Sequence, residues 1–259
     1  MIKFFRKIRL GLLKENKVTK YIIYAIGEIV LVVIGILIAI AINNANDDRK
    51  EEIELKNYLA KISNDVTRDL EQIKTLKIRR DNVRSKAILA YEELIKTESS
   101  QIEALKDGYS VFFEFYFIPN KSGFEAIKSS PFLGKINNTD LDSLLINYYA
   151  AVDNTVNREQ GFNTFIEKME SDMKTRIDIT PYQTISISEF HPGLLKNDTP
   201  NTKLRLDMLN ELMPMFENNS FRAAVGRVVG DASYNFLYGE LIDKGNALVK
   251  EIKARTKKE

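Results

Sequence analysis

The 259-residue sequence contains no cysteine and no tryptophan, and its only histidine is His191. Without cysteine the chain has no disulfide bond, no thiolate metal ligand and no cysteine nucleophile. It also lacks an EF-hand loop and an H-E-x-x-H sequence, so neither a metal site nor a cofactor is predicted. Apolar residues make up 44% of the chain and charged residues 29%, which is typical of a folded protein rather than a disordered one.

A catalytic set built on the single histidine is not indicated. His191 follows Ser186, Ser188 and Glu189 closely in the sequence, but closeness in sequence alone does not form a nucleophilic triad. We interpret His191 as a loop residue before a proline. No other cluster of polar residues stands out, and the chain is predicted not to be an enzyme.

The charges are distributed unevenly along the chain. Residues 1–20 hold seven basic residues and one acidic residue, a net charge of +6, and the other 239 residues sum to −4. A basic segment directly before a hydrophobic span is the positive-inside pattern, which places residues 1–20 in the cytoplasm. Binding of nucleic acid is not predicted, because the basic segment is tethered at the membrane and the larger domain is acidic. The residues expected to contact anionic lipid headgroups are Lys3, Arg6, Lys7 and Arg9.

The apolar run "YAIGEIVLVVIGILIAIAINN" predicts a transmembrane helix over residues 21–43. Residues 21–42 would rise roughly 33 Å as a helix, close to the ~30 Å hydrocarbon core, whereas the apolar part of a secretory signal is only about 7–15 residues. Ala39 and Ala41 form an A-x-A pattern, so cleavage is the alternative to the uncleaved anchor that we predict. Residues 44–259 then form an extracytoplasmic domain.

One carboxylate, Glu28, lies within this span, about 10 Å from the cytoplasmic edge. At helical spacing Val32, Gly35 and Ala39 share its face, and the last two make a small-xxx-small step that lets another helix approach closely. We predict that this face contacts a second span, either a copy of the chain or another membrane protein, with Glu28 hydrogen-bonded there. The alternatives are a neutral carboxylic acid tolerated near the headgroups and a proton relay.

The rest of the sequence predicts an all-α fold in which three to four long helices form an elongated bundle. Apolar residues recur with a mean spacing near 3.5 over 47–97, apart from a missed turn at Arg80. A second pattern covers 139–177 and opens with a capping-box-like pair, Thr139 and Asp142; a third follows "ENNS" and covers 221–252. Whether the first helix continues past Arg80 stays open.

Two irregular regions separate these patterns. Residues 178–202 contain three of the six prolines and the alternating "TISIS", which predicts a long connection with one short strand, followed by a short helix over 202–213. Residues 107–123 concentrate six aromatic residues without a clean period. They are predicted either to plug one end of the core or to form a pocket for a small apolar molecule or a partner's side chains. The candidate pocket residues are Tyr109, Phe112, Phe113, Phe115 and Tyr116.

The segments "MIKFFRKIR", "YAIGEIVLVVIGILIA" and "INN" together resemble the N-terminal signature of a large uncharacterised family of single-pass membrane proteins found in Bacteroidota. The resemblance extends more weakly through "SGFEAIKSSPFLGKINNTDLDSLLINYY". Where the family follows "INN" with tryptophan, this chain has Ala45, so an interfacial aromatic anchor is missing. The resemblance implies an inner-membrane location and a periplasm-facing domain, and it brings no activity with it.

Two functions remain from the sequence. The first is a membrane-anchored interaction or assembly protein whose periplasmic helical domain docks onto a partner and whose span makes a second contact. The second is a sensory or regulatory module that binds a ligand in the periplasm and signals through a partner membrane protein. Membrane lipid is a partner in both cases.

Overall fold

The computed structural model describes residues 18–96, 102–137, 139–191, 193–194 and 202–257. Throughout these residues every regular element is a helix, which confirms the predicted all-α class. The chain divides into two compact units, Met1–Asn57 and Tyr58–Glu259. The α-helices are α1 (Val18–Leu94), α2 (Ile102–Gly108), α3 (Ser122–Lys128), α4 (Leu133–Ile136), α5 (Asp140–Lys174), α6 (Thr180–Phe190), α7 (Thr202–Glu211), α8 (Met213–Glu217), α9 (Asn219–Gly230) and α10 (Ser233–Lys257), and a 3₁₀ helix spans Tyr109–Phe112.

Helix α1 is continuous over 77 residues, and it does not break at Arg79 or Arg80. Its most apolar 18-residue window has a mean hydropathy of 2.9, and none of that window is buried. By length and composition this part of α1 can serve as a membrane anchor. The predicted lipid-contacting residues Lys3, Arg6, Lys7 and Arg9 lie outside the described residues.

The second unit buries most of the apolar positions that the helical spacing predicts on α1 and α5, but Phe236 of the third pattern is 72% exposed, because Tyr234, Leu237, Tyr238 and Leu241 enter the core from α10 instead. From α1 the core receives Leu59, Ile62, Val66, Leu70, Ile73 and Leu76. Helix α5 packs along both α9 and α10. Gly245 of α10 allows this close approach, because a Cβ atom there would lie 2.7 Å from Leu70 Cδ2 and 3.1 Å from Tyr148 Cε2. The core therefore joins the first, the longest internal and the last helix of this unit.

The predicted capping pair is confirmed at the start of α5. Thr139 accepts a hydrogen bond from the backbone N–H of Asp142 at 3.3 Å. The single helix predicted over 221–252 is wrong, because the chain breaks after α9. Asp231 lies at this break and its carboxylate accepts from the N–H of Ser233 at 3.0 Å, so it caps the start of α10 instead of continuing α9.

The short strand predicted for "TISIS" is also wrong, because this segment belongs to α6. Pro181 lies in the first turn, where a proline is tolerated, and Asp178 accepts from the N–H of Thr180 at 2.9 Å. In a strand Ile185 and Ile187 would point to the same face, whereas here Ile185 is fully buried and Ile187 is only half-buried. The short helix expected over 202–213 is present as α7.

Candidate functional site

Residues 113–121 lie between the 3₁₀ helix and α3 without helical structure, and we call them the strap. The strap runs antiparallel to α1, because its contacts pass from Arg80, which donates to Phe115 O at 3.0 Å, back to Asp65, which accepts from the N–H of Gly123 at 2.8 Å. The strap therefore follows α1 from Arg80 back toward its N-terminal end.

Side chains of α1 and α5 satisfy the backbone groups of the strap from both sides. Gln72 of α1 accepts from the N–H of Ile118 at 2.8 Å, while Glu159 of α5 accepts from the N–H of Phe117 at 2.6 Å. Asn163 of α5 donates to the same Phe115 oxygen that Arg80 binds, at 2.9 Å. Because an irregular segment has no internal hydrogen-bond ladder, these side chains replace it and fix the strap in place.

Asp69 is the most buried of the strap's anchors. Its carboxylate accepts from the backbone N–H of Asn120 at 2.9 Å, from the Asn120 side chain at 2.7 Å and from the Tyr148 hydroxyl at 3.0 Å. Burial raises the pKa of Asp69 above its usual value, although the hydrogen bonds from Asn120 and Tyr148 oppose the shift. Burial and the nearby Asp69 carboxylate likewise raise the pKa of Tyr148 above its ordinary value.

Arg80 and Glu159 form the centre of a buried polar network. Arg80 Nη2 lies 3.5 Å from Glu159 Oε1, and the two side chains are 10% and 2% exposed. Arg80 Nε donates to the Tyr238 hydroxyl at 2.7 Å, and that hydroxyl donates to Glu159. The Arg80 guanidinium also lies over the ring of Tyr234, 4.1 Å from its centroid. One arginine thus connects α1, α5, α10 and the strap.

A cleft that is partly open to solvent lies beside this network. Its aromatic walls are Phe113, Phe115, Phe162, Tyr234 and Tyr238, and Arg80 and Arg84 supply cationic groups. The volume that a water molecule can reach is about 40 Å³, which is room for roughly three waters. The interior therefore fits the head group of a small molecule and not an entire drug-sized ligand.

The structure separates the five aromatic residues of the predicted pocket. Phe113 and Phe115 line the cleft, whereas Tyr109 and Phe112 are buried. Tyr116 is exposed, and its hydroxyl donates to Glu167 at 2.9 Å. Whether the five residues bind a ligand stays a prediction.

The cleft includes residues that the sequence reasoning missed. Arg80 and the α5 and α10 aromatics Phe162, Tyr234 and Tyr238 come from distant parts of the chain. The sequence did contain one indication of the cleft. Arg80 occupies a position where the helical pattern expects an apolar residue, and a basic residue at a core position needs a buried partner.

The predicted span contacts Glu28, Val32, Gly35 and Ala39 lie in the first unit. Val32, Gly35 and Ala39 are exposed, and a Cβ atom at Gly35 would meet nothing within 4 Å. Glu28 is half-exposed and has an interaction partner within the chain. The small-residue face is therefore sterically open to a second helix.

A second polar cluster joins α2, α6 and α7, and we call it the charged clasp: Glu103, Lys106, Glu189 and Arg205. Lys106 is buried and lies 3.2 Å from Glu189, while Arg205 contacts both acids. Burial opposes ionisation of Glu189, but its hydrogen bonds with Arg205 and Lys106 outweigh burial and lower its pKa. Next to Glu189, the Ser188 hydroxyl donates to Ile185 O at 2.8 Å.

No group of three or more acidic, histidine or cysteine side chains suited to a metal ion occurs among the described residues. Comparison with family models found a match over residues 28–175, and the matching model is the Family of unknown function (DUF6090). This region contains Arg80, Glu159 and the strap, but it ends before α10. No curated protein and no solved structure matches the chain.

Proposed function

Because the chain belongs to the Family of unknown function (DUF6090), which supplies no activity, we propose from its own residues that it is a membrane-anchored interaction or assembly protein. In this proposal residues 1–20 lie in the cytoplasm and residues 21–43 cross the inner membrane once. Residues 44–259 form a periplasmic helical bundle. The basic N-terminal segment and the uninterrupted apolar part of α1 support this topology.

The observation that carries the proposal is the open apolar face of α1. Its 18-residue apolar window has no buried residue, and Gly35 leaves space for the backbone of a second helix. Lipid can cover such a surface, but the alignment of Glu28 with Gly35 and Ala39 favours a protein contact on this face. The occupant is a second copy of the chain or another membrane protein, and lipid covers the remaining faces.

The test is cross-linking in native membranes followed by mass spectrometry. The variant Gly35→Leu with Ala39→Leu fills the face with larger side chains, and we expect it to abolish a specific cross-linked species that the wild type forms. The control, Val33→Leu with Ile40→Leu, enlarges or reshapes side chains on the opposite side of the same helix and should leave that species intact. If the wild type and both double variants give the same cross-linked species, the small-residue face makes no specific contact and the span serves only as an anchor.

A further variant defines what Glu28 contributes. If Glu28→Gln keeps the cross-linked species, the side chain acts as a neutral hydrogen-bonding group at the contact. If the species disappears, the contact needs the acid itself. Neither outcome contradicts the contact that the wild type forms, and the variant therefore assigns a chemistry to Glu28 rather than testing the interaction.

A regulatory function is the second candidate, and one observation favours it. The same helix, α1, contains the apolar span and the side chains of Arg80 and Arg84 that line the cleft. A ligand that repositions these arginines acts directly on the helix that enters the membrane, and a partner at the span would receive the change. This candidate predicts that a cleft ligand alters the cross-linked species, whereas a purely assembling protein keeps it unchanged.

A further inference from the structure

We propose that the cleft beside Arg80 binds a small monocarboxylate with a short apolar or aromatic body. The carboxylate would lie between Arg80 and Arg84, and the body would extend along the aromatic wall toward Phe113 at the mouth. Binding of such a ligand goes beyond the assembly function. It names the class of ligand for the regulatory candidate, and any role of this ligand in signalling rests on that candidate.

Arg80 keeps one donor group for a ligand. Its Nε and Nη2 atoms bind Tyr238, Phe115 O and Glu159, but Nη1 makes no hydrogen bond to any residue in the described ranges. Nη1 is not a buried atom, so solvent reaches it although the Arg80 side chain is only 10% exposed. Since Arg80 lines the cleft, an anion in the cleft can satisfy Nη1.

Arg84 adds a second cationic group whose charge is not neutralised locally. Its Nε and Nη2 atoms donate to Val229 O at 3.3 and 3.0 Å, and this carbonyl carries no net charge. Within the described part of the chain Arg84 forms no ion pair. A carboxylate bound to Arg84 would supply the missing opposite charge.

The charges around the cleft favour a monovalent anion. Lys77 pairs with Asp81 at 3.3 Å, and Asp231 pairs with Arg227 at 3.4 Å. With Glu159 already bound to Arg80, one uncompensated positive charge remains on Arg84. A carboxylate balances this charge, whereas a phosphate dianion would exceed it beside the buried Glu159 carboxylate.

The walls and the volume favour a ligand with a small head and an apolar body. About 40 Å³ accommodates a carboxylate in the interior, and Phe162 with the other rings excludes a heavily hydrated group. Phe113 also lines the cleft but is 51% exposed, which is consistent with a position at the mouth. Covering this ring with the apolar body of a ligand removes exposed aromatic surface from water.

The experiment is isothermal titration calorimetry of the full chain in detergent micelles with benzoate as the probe. Benzyl alcohol is the matched neutral compound. We expect saturable binding of benzoate and no comparable binding of benzyl alcohol. Arg84→Gln should weaken benzoate binding about tenfold or more, because it removes a charge-assisted contact. Arg79→Gln changes an exposed arginine of the same helix outside the cleft and should leave the affinity unchanged.

Phe113→Ala is a second variant that does not depend on the hydrogen bonds of Arg84. The side chain is half-exposed, so the variant should fold, and its benzoate binding should weaken several-fold. The proposal is overturned by an absence of saturable benzoate binding, by equal binding of benzyl alcohol, or by unchanged affinity in both cleft variants. Such a result leaves the cross-linking test of the span unaffected, so the two failures are distinguishable.

Discussion

Arg80 and Glu159 lie 3.5 Å apart in the core, 79 residues apart in the chain, and each also binds the backbone of the strap. Arg80 donates to Phe115 O, and Glu159 accepts from the N–H of Phe117. The ion pair therefore holds the strap from two opposite sides. Each charged group makes further hydrogen bonds, which helps a buried ion pair to be tolerated, and within the described residues only Arg80 Nη1 stays open toward the cleft.

Glu159→Ala should destabilise the protein strongly. The substitution leaves the Arg80 charge buried without its acid and removes the acceptor of the Phe117 N–H, and breaking a buried pair in this way costs about 3–5 kcal/mol. Urea unfolding followed by circular dichroism measures the loss. Glu92→Ala, an exposed position of α1, is the control and should change the free energy of unfolding little. Equal stability of the two variants would contradict a structural role for the pair.

Gly108→Ala should destabilise the contact between α2 and α1. A Cβ atom at residue 108 would lie 2.5 Å from Ala90 Cβ, and neither atom has a flexible end that can move away. Overpacking of this kind costs about 1–3 kcal/mol. The urea midpoint and the free energy of unfolding are the measurements.

Two companion variants separate this clash from other effects. Ala90→Gly should partly restore the stability of Gly108→Ala, because it removes the colliding atom. Gly239→Ala in α10 has nothing within 4 Å and should stabilise the protein by about 0.5–1 kcal/mol through helix propensity. A failure of Ala90→Gly to rescue would indicate that the two residues do not collide.

Asp69 should make stability depend on pH with a defined sign. Its pKa is raised in the folded chain, so the folded state binds the proton more tightly than the unfolded state. The contribution of protonated Asp69 is present below the unfolded pKa near 3.8 and is lost as the pH rises through the folded pKa. Asp69→Asn does not titrate, and we expect the stability of the wild type relative to this variant to fall over that range. An unchanged or rising difference would place Asp69 in a different environment.

The charged clasp should weaken in acid. The pKa values of Glu103 and Glu189 are lowered, because hydrogen bonds with Arg205 and Lys106 outweigh the opposing effect of burial. Their contribution is present above the unfolded value of 4.5 and is lost as the pH falls through the folded values.

Hydrogen exchange of α6 and α7 measures this effect. Glu189→Gln should lower the protection of both helices relative to the intrinsic exchange rate at neutral pH, and acid should lower the same protection in the wild type. Glu217→Gln is the control, since Glu217 is exposed on α8 and outside the clasp. Exchange that rises equally in the control would show that the clasp does not hold these helices.

The long helices could be predicted from the sequence because their buried apolar residues recur at helical spacing within each short stretch of the chain. Leu59, Ile62 and Val66 are spaced as a core-facing stripe requires, and the structure buries all three. The strap could not be predicted, because the partners of its backbone groups lie 35 to 51 residues away and no local pattern reveals them. The sequence shows that Arg80 interrupts the apolar stripe of α1. Only the fold shows that Arg80 binds Glu159 and Tyr238.

The errors arose where a local pattern allowed two structures. In "TISIS" the alternation suits a strand, but Tyr182 packs on Tyr109 with ring centroids 3.9 Å apart and Ile185 enters the core, so tertiary contacts select the helix. The break between α9 and α10 at Asp231 was missed because the sequence pattern does not change there. The apolar spacing continues across it, and only the capping hydrogen bond to Ser233 reveals the new helix.

The closure of the core by α10 has a consequence for biosynthesis. Tyr238 completes the network of Arg80 from 158 residues further along the chain, and Gly245 fits against Leu70. A ribosome delivers these residues last, so the nascent chain exposes an apolar groove on α1 and α5 from the emergence of α5 until α10 follows. A truncation before α10 leaves that groove permanently open, and proteases or chaperones that recognise exposed apolar surface would act on such a chain.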